Sequence, residues 1–306
     1  MRICLLTPEP GHPLLAATTA LLTPRHQVES LDPGATDPAG PDPAPLADVY
    51  LLKARTPRAL ALARRLEARG APVINSAAAT GLCQDRSRMA ELARAAGLPF
   101  AATRTAGSIG ELTGPGGLTA AGFPLVVKSR HSRRHDLVAK AEDLGRLEQL
   151  ARDWPDEPVV VQPFTANNGW DQKLWVIAGQ VFAARRRSEL AAAGRGPARP
   201  LAPADLPADR LDLVRRVGAV FGLDVYGVDL LDGAGEPLIV DVNAFPGIRG
   251  QAGAPEALAA LALRAAAEGP ATRGTAGTGL PGLPGLPGLP GLPGQPRAGA
   301  PAQVDA

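Results

Sequence analysis

Short apolar runs and amphipathic stretches alternate along the first quarter of the chain. The apolar runs predict four strands and the amphipathic stretches predict two helices between them: strands Arg2–Leu6, Gln27–Leu31, Asp48–Lys53 and Pro72–Asn75, helices Leu14–Leu22 and Pro57–Arg69. Strands that alternate with helices indicate a parallel sheet covered by helices. Residues 1–78 are therefore predicted to form a small Rossmann-like domain of the α/β class.

Beyond residue 78 the pattern changes to hairpins and isolated helices, which indicates an α+β architecture. The predicted helices are Gln84–Ala96, Asp143–Trp154, Arg210–Phe221 and Pro255–Ala267. Single strands are predicted at Phe123–Lys128, Val138–Lys140 and Val159–Phe164. Two hairpins are predicted, Lys173–Ile177 with Val181–Arg187 and Val225–Leu231 with Leu238–Asn243.

The last part of the chain, residues 269–306, has a different composition. Gly279–Pro293 consists of five Gly-Leu-Pro triplets. Five triplets are too few to hold a collagen triple helix. A disordered tail in the polyproline II conformation is therefore predicted.

Composition and charge exclude several classes of protein. A net charge of +2 argues against a general nucleic-acid-binding protein. Apolar runs are shorter than the roughly 18 residues that a membrane span needs, and the two cysteines form no metal-binding spacing, so a cytoplasmic protein is expected. Lysine is rare among the 32 basic residues, which draws attention to Lys53, Lys128, Lys140 and Lys173.

The stretch LIVDVNAFPG, residues 238–247, places an acid on an apolar strand. Alternation sends Asp241 and Asn243 to one face of that strand, and the partner strand offers Asp229. The two acids lie side by side if position 229 pairs with 241, which requires an odd-numbered loop or a bulge. Because such carboxylates repel each other without a cation, oxygen ligands for Mg²⁺ are predicted here.

These residues resemble the ATP-grasp superfamily, in its RimK-type glutamate-ligase-like branch, with some likeness to inositol-phosphate kinases. The likeness covers about residues 46–265 and rests on GLDVYGVDLL, PLIVDVNAFPG, FPLVVK and VVVQPF. It implies a two-lobed ATP-grasp module over residues 79–268, with the smaller lobe at about 100–160 and ATP between the lobes. The implied metal ligands are Asp229, Asp241 and Asn243, although many ligases of the family have glutamate in place of Asp241.

The resemblance also assigns nucleotide and acceptor contacts. Lys128 would contact phosphates, and the segment of Gln162 and Phe164 would contact adenine. In GWDQKLWVIAGQVFAARRRSEL, Asp171 and Lys173 would line the nucleotide and acceptor site. Alternation separates Arg186 from its neighbours, and either Arg185 or Arg187 is expected to clamp a phosphate or carboxylate. Arg249 is a further candidate for a substrate carboxylate.

Two departures from the family pattern concern phosphate binding. Arg86, next to Asp85 and near Arg88, stands where the family usually has a lysine, and it is expected to neutralise phosphate. The loop SRHSRRHD, residues 129–136, lacks the usual glycines. Its cations could cover the phosphates, meet an anionic acceptor or simply be exposed, and the sequence leaves these alternatives open.

The resemblance implies an ATP- and Mg²⁺-dependent carboxylate–amine ligase that works through an acylphosphate. Its substrates would be a small-molecule or peptide carboxylate and an amine, and a homo-oligomer is possible. An alternative is a kinase of an anionic polyol such as an inositol phosphate, and another is a non-catalytic nucleotide-binding scaffold. No GxxxxGK motif occurs, which argues against a P-loop enzyme.

Overall fold

A computed structural model describes most of the chain. It covers residues 1–36, 40, 45–114, 118, 122–133, 135–167, 169–188, 190, 198–233 and 236–269. The Gly-Leu-Pro repeats, for which a disordered tail is predicted, lie outside the described residues.

The N-terminal part forms a four-stranded parallel sheet with the strand order β2-β1-β3-β4. Its elements are β1 (Arg2–Leu6), α1 (Pro13–Leu22), β2 (Gln27–Leu31), β3 (Val49–Leu52), α2 (Pro57–Ala68), β4 (Val73–Ile74) and α3 (Ala77–Leu82). One face of the sheet packs against α2, through residues such as Leu62 and Leu66. The predicted strands and helices are present, and the short helix α3 was not predicted.

A second, antiparallel sheet follows, with the order β5-β8-β6-β7. The elements of this region are α4 (Arg86–Ala95), β5 (Arg104–Ala106), α5 (Gly110–Thr113), β6 (Leu125–Ser129), β7 (Val138–Ala141), α6 (Leu144–Asp153) and β8 (Val159–Pro163). Helix α4 begins two residues later than predicted because Asp85 is its N-cap and accepts a hydrogen bond from Ser87 N at 3.0 Å.

A third sheet has five strands in the order β11-β10-β9-β12-β13. Its strands and helices are β9 (Trp170–Ile177), β10 (Gln180–Arg187), β11 (Arg199–Leu201), α7 (Ala208–Phe221), β12 (Val225–Gly233), β13 (Glu236–Ala244) and α8 (Ala254–Glu268). Helix α7 packs on one face through Leu213, Val214 and Val217. The predicted mixed architecture, α/β followed by α+β, is confirmed by this fold.

Buried contacts join the first and third sheets. Helix α8 packs through Leu258 and Ala262 into the same core as Ile3 and Leu51 of the first sheet. The buried side chain of Asn75, after β4, accepts hydrogen bonds from Asp224 N and Val225 N and donates one to Val225 O at 2.6 Å. These contacts cross the predicted domain limit at residue 78. The predicted limits at residues 78 and 268 therefore stay predictions.

The helices of the described ranges were also compared with the requirements of a bilayer. Among them, none combines the length and the apolar character that crossing a membrane requires.

Gly218 in α7 leaves room for the side chain of Tyr226 on β12. The Tyr226 hydroxyl donates to Val214 O at 2.9 Å, and a Cβ at Gly218 would overlap the same hydroxyl. Although alanine favours a helix, we expect Gly218→Ala to lower the free energy of unfolding by about 1–3 kcal/mol, because the ring must move. Denaturant unfolding measures this change. Gly11→Ala, with no atom within 4 Å of the new Cβ, is the control, and equal losses in both variants would contradict the prediction.

Candidate active site

One face of the third sheet carries polar side chains in registered rows. Lys173, Asp229 and Asp241 lie directly opposite one another on β9, β12 and β13. The neighbouring row consists of Trp175, Gly227 and Asn243. Side chains of directly paired residues point to the same face, so both rows face the same space.

A bulge in the β12–β13 hairpin creates this arrangement. Near the turn, Leu230 pairs with Ile239, whereas beyond the bulge Asp229 pairs with Asp241, so Val240 is the extra residue. Without the extra residue, Asp229 would oppose Val240, and Asp241 would point to the other face. The pairing of 229 with 241 was predicted from the sequence on the condition of a bulge or an odd loop, and the structure has the bulge.

Asp229 is held by a lysine on the adjacent strand. The Lys173 ammonium lies 2.8 Å from Oδ1 and donates a hydrogen bond to Oδ2 at 3.1 Å. Burial by itself raises the pKa of Asp229, but the Lys173 ammonium, with Arg186 and Lys128, outweighs it and lowers the pKa below its usual value. Asp229 is therefore ionised at neutral pH, and the Lys173 ammonium contacts both of its carboxylate oxygens.

Asp241 is held from the opposite side by Arg86, the first residue of α4. The Arg86 guanidinium donates to Asp241 Oδ2 at 3.4 Å, to Asp136 Oδ2 at 2.8 Å and to the Ser129 carbonyl at 2.8 Å. Burial opposes the charge of Arg86, but Asp241 and Asp136 raise its pKa above the usual value. Arg86 thus ties the start of α4, the loop after β6 and strand β13 together.

One wall of a cavity of about 450 Å³ between the second and third sheets is formed by four residues of these rows, Lys173, Asp229, Asp241 and Asn243. The opposite wall comes from the second sheet, where Lys128 and Gln162 face the cavity. Lys128 Nζ donates to Val240 O, the carbonyl of the bulge residue, at 2.9 Å. Phe164 closes one end and lies under Lys140 Nζ, 3.9 Å from the ring centroid.

The cavity brings together nine of the twelve residues that the sequence nominated for the nucleotide, metal and acceptor sites. They are Arg86, Lys128, Gln162, Phe164, Asp171, Lys173, Asp229, Asp241 and Asn243. Burial raises the pKa of the Asp171 carboxyl above its usual value, although Asn167 donates a hydrogen bond to it at 3.1 Å. Proximity alone does not test the roles assigned to these residues, which stay predictions.

The arginine clamp differs from the expectation. In the β9–β10 hairpin Asp171 pairs with Arg186, so Arg186 shares the cavity face, whereas Arg185 pairs with Gln172 on the other face. Arg185 and Arg187 are exposed and do not line this cavity, and Arg187 stacks over Trp170. The arginines that face the cavity depend on the register between β9 and β10, and alternation along β10 alone does not give that register.

The basic loop after β6 is partly neutralised. Arg130 forms a bidentate ion pair with Asp85, and Arg133 forms one with Glu157. Arg133, His135 and Asp136 nevertheless line the cavity, and Arg134 lies outside the described residues. The loop therefore borders the cavity with a mixture of charges.

Arg55, which follows β3, was missed by the sequence analysis although it lines the cavity. It comes from the N-terminal part of the chain, and no local pattern links it to the hairpins. Its position follows from the packing of the first sheet against the third.

The oxygen donors fit a hard divalent cation. Asp229, Asp241 and Asn243 face the same cavity from adjacent rows, and each supplies a carboxylate or amide oxygen. The described residues contain no group of three His, Cys, Asp or Glu side chains that could hold a metal ion. The candidate ligands are two carboxylates and one amide oxygen, that of Asn243. Mg²⁺ commonly takes only one or two carboxylates and completes its shell with water and phosphate oxygens.

Comparisons with known proteins define the class. Over 85% of this chain and 99% of the other, it superposes on a RimK domain ATP-grasp protein of Sphaerobacter thermophilus with a TM-score of 0.67 and 23% identity. A D-alanine–D-alanine ligase of Bacillus anthracis also gives a TM-score of 0.67, at 18% identity, over 90% of this chain and 99% of that one. The fold is that of ATP-grasp proteins.

Sequence comparisons show which proteins the chain resembles. Residues 118–255 match the model of the RimK-like ATP-grasp domain. A probable alpha-L-glutamate ligase of Aeromonas salmonicida is 29% identical over 62% of this chain and 65% of its own length. A ribosomal protein bS6–L-glutamate ligase of Salmonella paratyphi B is 29% identical over 61% of this chain and 64% of its own length.

The match to the RimK-like ATP-grasp domain is confined to residues 118–255 and agrees with the resemblance inferred from the sequence motifs. The chain spans less than two thirds of the length of these curated relatives, 65% and 64% respectively.

The two neighbouring arginines provide a matched test of the cavity wall. Because Arg186 faces the cavity and Arg185 does not, we expect Arg186→Gln to weaken MgATP binding about tenfold and Arg185→Gln to leave it unchanged. Isothermal titration calorimetry of the two variants measures this difference. Equal weakening in both variants, or weakening in Arg185→Gln alone, would contradict this assignment.

Proposed function

We propose that the protein is an ATP-dependent carboxylate–amine ligase. The observation that carries this proposal is the junction of two cavities at one wall. The first cavity holds the oxygen donors and cations described above, and a second cavity of about 630 Å³ shares Arg55, Lys173, Arg186 and Asn243 with it. A nucleotide in the first and an anionic acceptor in the second would meet at this wall.

The chemistry needs positioning and charge stabilisation rather than a covalent protein nucleophile. An oxygen of the acceptor carboxylate attacks the γ-phosphorus of ATP, and the bond to the bridging oxygen breaks to release ADP. The resulting acylphosphate is attacked at its carbonyl carbon by the amine. Phosphate leaves with the electrons of the carbon–oxygen bond, the amine nitrogen loses a proton, and an amide remains.

The cations at the shared wall suit this reaction. Lys173 and Arg186 lie where negative charge develops as the acceptor oxygen approaches the phosphate, and Lys128 and Arg86 line the first cavity. Asp229, Asp241 and Asn243 would hold Mg²⁺, which neutralises phosphate charge when it is bound. Lys173 also keeps Asp229 ionised, so that it is available as a ligand.

The named relatives support a ligase and suggest its substrates. The curated relatives carry the names of glutamate ligases, one of them acting on ribosomal protein bS6. A solved structure with a TM-score of 0.63 and 19% identity, over 86% of this chain and 98% of the other, is an ATP-grasp ligase in complex with a minimal precursor. A carboxylate on a small molecule or peptide, joined to an amine, fits both. Homo-oligomer formation stays a prediction.

Replacing Asp241 tests the proposed metal site. We expect Asp241→Asn to lower the rate of Mg²⁺-dependent ADP release by at least about a hundredfold, because the substitution removes one of two ligand charges and keeps the shape of the side chain. Coupled spectroscopic measurement of ADP gives the rate, and circular dichroism checks the fold. Asp212→Asn is the control, because Asp212 is exposed and pairs only with Arg215 in its own helix among the described residues. Activity within threefold of the unsubstituted protein in Asp241→Asn would remove the metal assignment.

The products separate this function from its alternatives. Incubation with ATP, Mg²⁺, amino acids, acidic peptides and inositol phosphates, followed by mass spectrometry, should show free phosphate and a new amide. A stable phosphoester would identify a kinase instead. Binding of ATP without turnover of any of these compounds would indicate a nucleotide-binding scaffold.

A further inference from the structure

Arg86, the buried arginine at the start of α4, already uses several of its donors within the protein. Its Nη1 donates to the Ser129 carbonyl and to Asp136 Oδ2, each at 2.8 Å, and its Nη2 donates to Asp241 Oδ2 at 3.4 Å. Its Nε is buried and has no hydrogen-bond partner among the described residues. Three protein oxygens therefore hold a guanidinium that the sequence assigned to a phosphate.

Asp136 is the carboxylate that holds this guanidinium most closely. It lines the first cavity, and its ion pair with Arg86, at 2.8 Å, is shorter than the contact of 3.4 Å between Arg86 and Asp241. One positive charge thus faces two negative ones, and a phosphate that approaches Arg86 adds more negative charge. Asp241 is a candidate metal ligand and Asp136 is not, so Asp136 is the carboxylate that can give way.

The backbone around Asp136 leaves its side chain free to turn away from Arg86. Ser129 N donates to Leu137 O, and Leu137 N donates to Ser129 Oγ, both at 2.9 Å, so the base of the loop is closed without the Asp136 side chain. His135, the preceding residue, has a φ of +59°, which is uncommon for a residue with a Cβ. Such a conformation persists only where contacts hold it, and the pair of Asp136 with Arg86 is one such contact.

A second guanidinium lies close enough to receive the displaced carboxylate. Arg133 lines the same cavity and forms a bidentate ion pair with Glu157. Its hydrogen bonds to Glu157 raise the pKa of Arg133 above the usual value, and the charge of Asp136 adds to the rise. Asp136 therefore already interacts with Arg133 and keeps a counter-charge nearby when it leaves Arg86.

We propose that Asp136 is an internal competitor of the nucleotide: its carboxylate holds the Arg86 donors that a phosphate of ATP uses, and nucleotide binding displaces it towards Arg133. This inference rests on the proposed function in one respect, that a nucleotide phosphate binds at Arg86. Since only molecules in which Arg86 is released can bind that phosphate, the competitor lowers the apparent affinity by the released fraction. Removing its charge therefore tightens nucleotide binding, whereas removing a ligand weakens it.

Calorimetry of Asp136→Asn tests the direction of this effect. The full chain at pH 7 is titrated with Mg²⁺ and AMPPNP, an ATP analogue that is not hydrolysed. We expect a dissociation constant about tenfold lower than that of the unsubstituted chain, because asparagine keeps the shape of the side chain but competes weakly for a guanidinium. Weaker or unchanged binding in Asp136→Asn would overturn the proposal.

The control removes the same charge from the opposite face of the second sheet. Glu148 is an exposed residue of α6, and this helix packs through Leu147 against Val127, whose side chain points away from the first cavity. Glu148→Gln should leave the affinity for the analogue unchanged. An equal gain in Glu148→Gln and Asp136→Asn would show that net charge, and not Asp136, sets the affinity.

Thermal unfolding distinguishes a competitor from a lasting structural contact and from an unpaired charge near the site. Without nucleotide, Asp136→Asn should lower the Tm by about 2–4 °C, because buried Arg86 loses a partner. With saturating analogue the two proteins should unfold at the same temperature, because the bound state no longer contains the pair. A Tm deficit of the same size in the presence of the analogue would indicate a lasting contact, and an unchanged Tm without it would indicate a general charge effect. Either result would refute the competitor.

The outcomes also separate this inference from the proposed function. Weaker binding in Asp136→Asn would refute the competitor and leave the ligase standing. Tighter binding in Asp136→Asn, with no amide formed from any carboxylate and amine, would support the competitor and refute the ligase. If neither protein binds the analogue, both the competitor and the nucleotide site are wrong.

Discussion

The candidate site depends on one extra residue in one strand. Val240 bulges out of the β12–β13 ladder, and the shift places Asp229, Asp241 and Asn243 on the face that carries Lys173. In a regular hairpin, alternation would turn Asp241 and Asn243 away from Asp229, towards α7 and its apolar core. The carbonyl of the bulge residue also accepts the Lys128 ammonium, so the same irregularity links the second and third sheets.

Ion pairs with neighbouring side chains stabilise the charged groups around the bulge. Removing a carboxylate or a guanidinium from water is costly unless a partner of opposite charge is close. Lys173 supplies that partner to Asp229, and Arg86 supplies it to Asp241 and Asp136. On the far side of Lys173 the compensation stops, and the second cavity is lined by cations alone within the described residues. One row of side chains thus separates a cavity lined by charges of both signs from a cavity lined by cations among the described residues.

The sequence predicted most of the strands and helices, and most residues that line the first cavity, because both follow from local patterns. Alternation placed Asp171 and Lys173 on one face of their strand. The acid on the apolar strand, Asp241, directed attention to Asp229 on the partner strand. Arg186 was assigned to the wrong face because a face in β10 depends on the hairpin register, which composition does not reveal. Arg55 and Thr80 could not be predicted, because they reach the site only through packing between segments distant in sequence.

That packing has a physical basis in Asn75. Its buried amide oxygen accepts hydrogen bonds from Asp224 N and Val225 N, and its amide nitrogen donates one to Val225 O. These bonds fix the end of the first sheet against β12, the strand that carries Gly227 and Asp229. Lys53, Arg55 and Thr80 are held near that strand as a result. Two separate parts of the chain therefore meet at the candidate site: the hairpins of the third sheet carry the oxygen donors, and the N-terminal sheet brings Lys53 and Arg55 to the second cavity. Among the described residues the two cavities share Arg55, Lys173, Arg186 and Asn243, so a substitution at one of these positions alters both linings, whereas a substitution elsewhere in either lining alters one.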